Sequence, residues 1–431
     1  MTMAFTTEQA ADQAVQALRK RGFDSVQVTV SETQRVELNL ARNEPSLLRS
    51  NAARKLSATG IAGGRRASAE GSDLSAEGVT TLVEALWEAA SSAPADAANA
   101  VSLGQRLQVS RGPLEADPTA LADALRNVLA WRAEHTPTMM IEEAAASHIH
   151  QRLHTLTHAA GGEGSTVDLN LGWCELSVFG LAREDGRTSS FNEAGGSAEA
   201  LTNATERFGL GRMMRELTQQ VHTQPLGERF VGDVVLAPGA VSDLLGWLMG
   251  QLCDGPLIEG SSVYRDSVGE LIASPLLTLK SRYDAPGCAP LSADAFVTPP
   301  VTLLDAGRLT QLTPSYYGSR KTGLPHKPVA SEGWELSAGT TPLADIIAAV
   351  PRGALVDRLS MGRPAPNGDF SGVIKNAFAL VDGRIGAALS ETMINGNVAQ
   401  MLKDVSAVSV ERIDGGSVVL PWLRIGGLHF S

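Results

Sequence analysis

The sequence has few cysteines, no excess of basic charge and no long apolar run. Cys174, Cys253 and Cys288 are the three cysteines of 431 residues, and without a CxxC pair they indicate neither a disulfide framework nor a thiolate zinc site. Lysine and arginine number 36 against 47 acidic residues, for a net charge of -11. A nucleic-acid partner is not expected, because phosphate binding needs a basic surface.

Targeting signals are also lacking. Met1 to Ala14 shows no basic stretch followed by an apolar one, so no secretory signal is predicted. No run approaches the roughly 18 consecutive apolar residues that a membrane span needs. We therefore expect a cytoplasmic protein that has no membrane partner.

What the chain does contain is enough apolar sequence for two folded domains. Hydrophobic residues make up 43% and charged residues 19%, which is typical of globular proteins. A chain of 431 residues exceeds the usual size of one core. The segment 223–228 contains Pro225 and Gly227 and is the candidate boundary, so we predict domains at 1–222 and 229–431.

The first domain is predicted to combine helices with an antiparallel sheet. Thr6 and Gln9 form a capping-box pattern before the first helix. Alternating apolar residues from Val26 to Val30 and from Val36 to Leu40 flank the polar stretch Ser31 to Arg35, and we interpret them as a hairpin. Further helices are predicted at Leu74–Ala90, Pro118–Glu134 and Ser197–Val221.

The second domain is predicted to be rich in strands. One helix, Ala240 to Leu252, follows the strand Val234 to Leu236, and another is predicted near Leu343 to Val350. Asp305-Ala306-Gly307 and Asp382-Gly383 lie between apolar runs and indicate hairpin turns. The predicted fold class is α+β, with a helix and antiparallel-sheet domain followed by a β-rich C-terminal domain.

The C-terminal half also carries polar and glycine-rich blocks in a fixed order. They are Tyr317-Gly318-Ser319-Arg320-Lys321, Asn367-Gly368-Asp369-Phe370-Ser371, Asn376-Ala377-Phe378, Ile394-Asn395-Gly396-Asn397 and the closing stretch Val418 to Gly427. In order and spacing these blocks resemble the TldD/PmbA family. Families of this type pair a zinc-bearing subunit with a related subunit that lacks the metal.

The resemblance implies where a metal site would be. The zinc-bearing subunit has a helix with the pattern HExxxH, in which two histidines bind zinc and the glutamate is the general base. The matching positions here hold Gly246, Trp247 and Gln251. Glycine has no side chain, an indole N–H only donates, and a neutral amide is a poor zinc ligand. None of these three residues can take the place of the zinc-binding histidines or of the general base.

A further ligand of that site is missing as well. The family's active subunit uses a late cysteine, whereas the matching stretch Met361 to Phe370 contains none. We therefore expect no metal and no catalytic residue in this chain, which resembles the metal-free, TldE-like subunit. Zinc is expected in the partner.

The retained blocks supply the candidate binding residues. As guesses for contact with a peptide or a partner, we name Gly368, Asp369, Ser371, Asn376, Asn395 and Asn397. The simpler interpretation is structural: Gly368 and Asp369 would shape a turn that Ser371 supports by hydrogen bonding. Asn395-Gly396-Asn397 is likewise interpreted as a tight turn.

Four histidines form a separate candidate site. His148, His150, His154 and His158 have the same parity, so on a strand they would share one face. We interpret the segment as a strand with a solvated or interface face, and adventitious metal binding is the alternative. A catalytic metal is not expected, because no general base is placed nearby by motif.

The chain departs from the family pattern between Tyr283 and Pro290, where an acidic stretch is replaced by prolines and Cys288. Gly372 also replaces a usual arginine. These departures suggest a divergent branch. All three cysteines are interpreted as small buried residues, and Cys288, in its Pro-Gly loop, is predicted to be the most exposed.

The function implied by the resemblance is that of a partner subunit. The chain would form a heterodimer with an HExxxH-bearing paralogue and help it process small or unfolded peptides. Two alternatives stay open: a homodimeric, non-enzymatic peptide-binding protein, and a subunit of a pair that modifies peptides without hydrolysing them.

Overall fold

The computed structural model describes residues 5–431. Its elements fall into an eight-stranded sheet and an eleven-stranded sheet. Those of the first half are α1 (Thr7–Arg21), β1 (Ser25–Ala41), β2 (Glu44–Ala62), β3 (Arg65–Gly71), α2 (Ala76–Ser92), β4 (Arg106–Arg111), α3 (Pro118–His135), β5 (Met139–Ala159), β6 (Thr166–Glu184), β7 (Arg187–Thr188), β8 (Asn192–Ala198), α4 (Ala204–Arg207) and α5 (Leu210–Gln219).

The elements of the second half begin at Phe230. They are β9 (Phe230–Leu236), α6 (Pro238–Gln251), α7 (Asp254–Glu259), β10 (Leu279–Ser281), β11 (Thr302–Asp305), β12 (Arg308–Leu309), α8 (Tyr316–Thr322), β13 (Trp334–Leu336), α9 (Leu343–Ala348), β14 (Arg352–Ser360), β15 (Asp369–Val381), β16 (Arg384–Leu389), β17 (Thr392–Asn397), α10 (Val398–Lys403), β18 (Val405–Asp414) and β19 (Val418–Phe430). The predicted α+β class is confirmed.

The first sheet is built on long strands, and one prediction about it was wrong. Val26 to Leu40 is a single strand, β1, and not a hairpin. The apolar residues keep one parity through Ser31 to Arg35, so the alternation never reverses. The turn follows at Arg42-Asn43, where both residues have positive φ, as in the twist-matched turns of two-residue hairpins.

Helices cover one face of this sheet. α1 and α2 pack on Val26, Val28 and Val30, while α3 and α5 pack on the continuation of the same face, at Leu40 and Leu176. Residues of the other parity point to the opposite face. Helices leave part of that opposite face uncovered, and the uncovered part forms the floor of a cleft between the two halves of the chain.

The helix predicted from Ser197 to Val221 was also wrong. Strand β8 extends to Ala198, and two shorter helices follow. Asn203 and Gly209 have positive φ, a conformation that no helix interior accepts. The apolar periodicity is real, since Leu210, Met213, Met214 and Leu217 are buried in α5, but it is confined to ten residues.

The second sheet closes on itself. Strands follow the order β12-β11-β10-β13-β19-β17-β15-β14-β9, and β9 also pairs with β19. Strands β9, β14, β15, β17 and β19 therefore form a ring. The predicted helix α6 packs on β14 and β19 and buries Leu244, Leu245 and Leu248, and both predicted hairpin turns are present. No helix within residues 5–431 is long and apolar enough to cross a membrane.

The divergent loop at 283–290 joins the two halves. Arg111 donates from Nη2 to the carbonyl of Cys288 at 2.5 Å, and Ser197 Oγ donates to the carbonyl of Pro286 at 3.0 Å. The exposure prediction for Cys288 was wrong: the residue is 1% exposed, and its Sγ would lie 2.9 Å from a Cβ built on Gly333. Cys253 is the exposed cysteine.

Candidate functional site

The helix that would bear the metal in a zinc-containing relative is intact as a helix. It follows β9 directly, and Pro238 lies in its first turn, where a missing N–H is harmless. Gly246 is exposed, Trp247 is half-buried and Gln251 is buried. Leu244, Leu245 and Leu248 are buried, so α6 has an apolar packing face, and the three named positions carry neither a histidine nor a carboxylate.

The residues at those positions make structural contacts. Gln251 Oε1 accepts the N–H of Val263 at 3.3 Å, and the Trp247 ring meets Tyr264 edge-on with centroids 6.0 Å apart. Zinc does not fit this donor set, since neither a glycine nor an indole N–H supplies a lone pair. Across residues 5–431, no group of three or more His, Cys, Asp or Glu side chains could hold a metal ion.

The polar blocks retained from the family form a hydrogen-bonded cluster, which we call the amide clamp (Asn367, Asp369 and Asn397). Asn397 Nδ2 donates to Asp369 Oδ1 at 2.8 Å, and Asn367 Nδ2 donates to Asp369 Oδ2, also at 2.8 Å. These donors, Asn397 first, lower the pKa of Asp369, because they stabilise its ionised form. Asn397 also caps α10 by accepting the N–H of Gln400.

The amide clamp lies against α6. Gly368 has φ +95°, and a Cβ added there would lie 3.2 Å from Cζ2 of Trp247. The predicted turn is present as far as Gly368, whose N–H donates to the carbonyl of Ala365, whereas Asp369 already begins strand β15. The fold brings this turn beside α6. The block around Gly368 and the α6 position Trp247, which were predicted separately from the sequence, therefore lie in one region of the structure.

Other predictions for these blocks were wrong. Asn395-Gly396-Asn397 is not a turn but the end of strand β17, paired with β15 so that Asn395 faces Ser371. Ser371 is exposed on β15 and supports no turn. Continuous backbone pairing overrides the turn preference of asparagine and glycine here.

Asn376 lies apart from the amide clamp. It is 4% exposed, adopts φ +49° and donates from Nδ2 to the carbonyl of Phe191 at 3.3 Å. Asparagine tolerates this left-handed backbone better than most residues. The contact joins strand β15 to the first half of the chain, so the geometry gives Asn376 a structural position.

The four histidines lie on strand β5, as predicted, and share one face. That face is not simply solvated, because His148 and His154 are buried at 3% and 8% exposure. His148 Nε2 bonds to the carbonyl of Pro113, and His154 Nδ1 bonds to Asp168 Oδ1. Each of these rings is held by a protein acceptor, which satisfies its buried nitrogen.

A cleft between the halves was not predicted from the sequence. A cavity of about 530 Å³ lies between strands β5, β6 and β8 and the start of α6, where Gly239 and Ser242 line it. A second cavity of about 900 Å³ continues from it along the same strands. Gly195 lines both. The residues that line the smaller cavity range from Arg35 to Leu420, so no local pattern could have identified the cleft.

Residues 230–431 match the model of the PmbA/TldA metallopeptidase C-terminal domain. Over the whole chain, the curated metalloprotease PmbA of Escherichia coli O157:H7 is 25% identical over 433 residues, which cover 94% of this chain and 92% of that protein.

Solved structures show the same fold along the whole chain. TldE from Thermococcus kodakarensis superposes with a TM-score of 0.80 at 19% identity, covering 98% of this chain and all of that one. A structure from Bacteroides thetaiotaomicron gives 0.77 at 19% identity, covering 98% of each chain. Residues 230–431 therefore belong to the PmbA/TldA metallopeptidase C-terminal domain family, and the whole chain has the fold of TldE.

Proposed function

We propose that this chain is a non-catalytic subunit of a heterodimeric metallopeptidase, in which a paralogue with an HExxxH helix supplies zinc and the general base. The observation that carries the proposal is the donor set of α6. The helix and its packing are retained, while Gly246, Trp247 and Gln251 offer no metal ligand and no base.

The role left for the chain is to shape the chamber and hold the substrate. α6 lies beside a cleft whose two cavities are together large enough for a peptide segment. The amide clamp fixes the loop next to α6 by hydrogen bonds between its own members. Small or unfolded peptides suit a cleft of this kind, because an extended chain can be held by its backbone.

The proposal is tested with zinc analysis and a peptidase assay on the purified chain, alone and after co-expression with the HExxxH-bearing paralogue of the same genome. We expect zinc and cleavage of an unfolded peptide only in a complex that co-purifies. Cleavage that needs zinc and is catalysed by the chain alone would overturn the proposal.

A matched control uses a partner whose HExxxH glutamate is replaced by glutamine. That complex should assemble and retain zinc but lose cleavage, because the general base is removed. An unchanged rate would show that the chemistry does not come from the partner's helix.

A further inference from the structure

Strand β8 has an open edge inside the cleft. It pairs with β6 along one side, from Asn192 opposite Gly180 to Ala198 opposite Cys174. On the other side, the N–H of Ser197 donates to the carbonyl of Gly415 at 3.0 Å. That contact shows which residues of β8 direct their backbone groups away from β6.

Backbone direction alternates along an antiparallel strand. Because Ser197 points away from β6, Gly195 and Glu193 do so as well. The N–H and C=O of Gly195 have no hydrogen-bond partner among residues 5–431, and neither does the C=O of Glu193. The N–H of Glu193 is satisfied by Asn192 Oδ1. The carbonyl oxygen of Gly195 faces Gly415, since a Cβ built on Gly415 would lie 3.6 Å from it. Two backbone groups, the N–H of Gly195 and the C=O of Glu193, are thus available to an added strand.

These groups lie at the junction of the two cavities, since Gly195 lines both. Beyond Ser197, the turn at Gly415 already occupies the edge, so an incoming chain would reach Gly195 and Glu193 and stop there. The cavities and the unpaired backbone groups therefore meet in one short stretch of β8, between Glu193 and Gly195.

The larger cavity beside this stretch carries more acidic than basic side chains: Glu37, Glu143 and Glu193 against Arg49, which pairs with Glu37 at 3.0 Å. Glu193 lies directly opposite Phe179, which lies opposite Glu143 on β5. Residues paired in this way project from the same face of a sheet. Both Glu143 and Glu193 are exposed and line the larger cavity, and neither forms an ion pair within residues 5–431. A basic side chain would complement them.

We propose that the edge of β8 binds an extended peptide segment as an added strand, with a basic side chain of the peptide beside Glu193. This inference rests on the proposed function and gives it a substrate class, namely unfolded peptides that carry lysine or arginine. The backbone pairing supplies affinity, and Glu193 supplies the preference.

The probe is a fluorescein-labelled peptide of alternating threonine and valine with one central lysine, titrated by anisotropy against the full chain. Replacing the lysine with norleucine should weaken binding about three-fold, the size of a cross-strand charge pair. Glu193→Gln should remove this difference. Glu199→Gln is the matched control, because Glu199 is exposed just past the end of β8 and should leave the difference intact.

Backbone pairing is tested by methylating single amides of the probe. Methylation of the amide whose N–H pairs with the C=O of Glu193 should weaken binding about ten-fold, and methylation one residue away should have little effect, because that amide faces outward. A periodicity of two along the probe supports the proposal. Uniform sensitivity, or no binding to a folded chain, overturns it.

The two proposals fail separately. If the complex with the paralogue cleaves peptides but binding ignores Glu193 and the methylation pattern, the assignment of β8 fails and the partner role stands. If the probe binds with the expected pattern and no complex forms, the partner role fails and the peptide site stands.

Discussion

The fold contains two clusters of hydrogen-bonded polar side chains, and the two clusters differ in burial. The amide clamp is at the surface, where Asp369 is exposed. The other cluster, which we call the buried triad (Arg212, Glu216 and Asp357), joins the first half to the ring of strands. Arg212 contacts Glu216 Oε2 at 2.6 Å and Asp357 Oδ1 at 2.8 Å, with side chains 25%, 18% and 10% exposed respectively.

A recognisable sequence motif and a large contribution to folding stability are therefore separate properties of a polar cluster. The amide clamp belongs to sequence blocks that resemble those of the TldD/PmbA family, yet water competes with each of its hydrogen bonds. The buried triad has no motif, but two carboxylates and one guanidinium there have lost most of their water. Removing the guanidinium of such a set would leave two carboxylates without a compensating charge.

The largest effect is expected for Arg212→Met. The variant leaves Glu216 and Asp357 close together without their cation, which should lower the free energy of unfolding by about 2–4 kcal/mol. Urea denaturation of the full chain measures it. Arg215→Met is the matched control on the exposed face of α5 and should cost less than about 0.5 kcal/mol. Equal losses would show that the buried triad has no special weight.

The second-largest effect is expected in the pH dependence of the free energy of unfolding, through Glu216. Burial raises the pKa of Glu216 to about 7 against the opposing pull of Arg212. A raised pKa in the folded state gives stability that is present below the ordinary value near 4.5 and lost as pH rises through 7. Glu216→Gln should therefore be more stable than the natural chain at pH 8 by on the order of 2–3 kcal/mol, and the advantage should shrink toward pH 5.

Unfolding curves between pH 5 and pH 8 measure this difference. A parallel pH dependence of the variant and the natural chain would contradict the assignment of the proton to Glu216. It would also make the buried triad an ordinary ion pair and remove the contrast with the amide clamp.

A smaller gain is expected beside α6. Tyr264 is 4% exposed, and its hydroxyl has no hydrogen-bond partner within residues 5–431. Burial raises its pKa to about 12. Tyr264→Phe removes the unsatisfied hydroxyl and should stabilise the fold by about 1 kcal/mol, measured by chemical denaturation. A loss of stability would mean that the hydroxyl is bonded to an ordered water.

The smallest change in stability is expected for Asp369→Ala. Its carboxylate is exposed, so the lost bonds to Asn367 and Asn397 are replaced by water. The melting temperature should fall by less than after Arg212→Met, while hydrogen exchange at the start of α10 should accelerate, because Asn397 loses an anchor. A fall as large as that of Arg212→Met would reverse the comparison.

The sequence predicted the elements whose signals are local. The capping box at Thr6 and Gln9 is present, α6 follows β9, and the hairpin turns at Asp305 and Asp382 are where the turn residues placed them. The loss of metal ligands could also be stated from the sequence, since it depends only on residue types at motif positions.

Long-range register could not be predicted. The buried triad joins α5 to β14, and the cleft joins Gly195 to Ser242, contacts that no periodicity encodes. The turn expected at Asn395-Gly396-Asn397 failed for the same reason, because pairing with a distant strand decided its conformation. Cys288 is likewise buried where its loop meets the first half, with its carbonyl bonded to Arg111, far earlier in the chain.

The most direct test of the account is to measure bound zinc and peptide cleavage for three samples: this chain, its HExxxH-bearing paralogue and the two co-expressed. The account predicts no stoichiometric zinc in this chain alone, zinc in the paralogue, and full cleavage only in the complex. Stoichiometric zinc and cleavage by this chain alone would contradict it, because the donor set of α6 could not then be the reason for a division of labour.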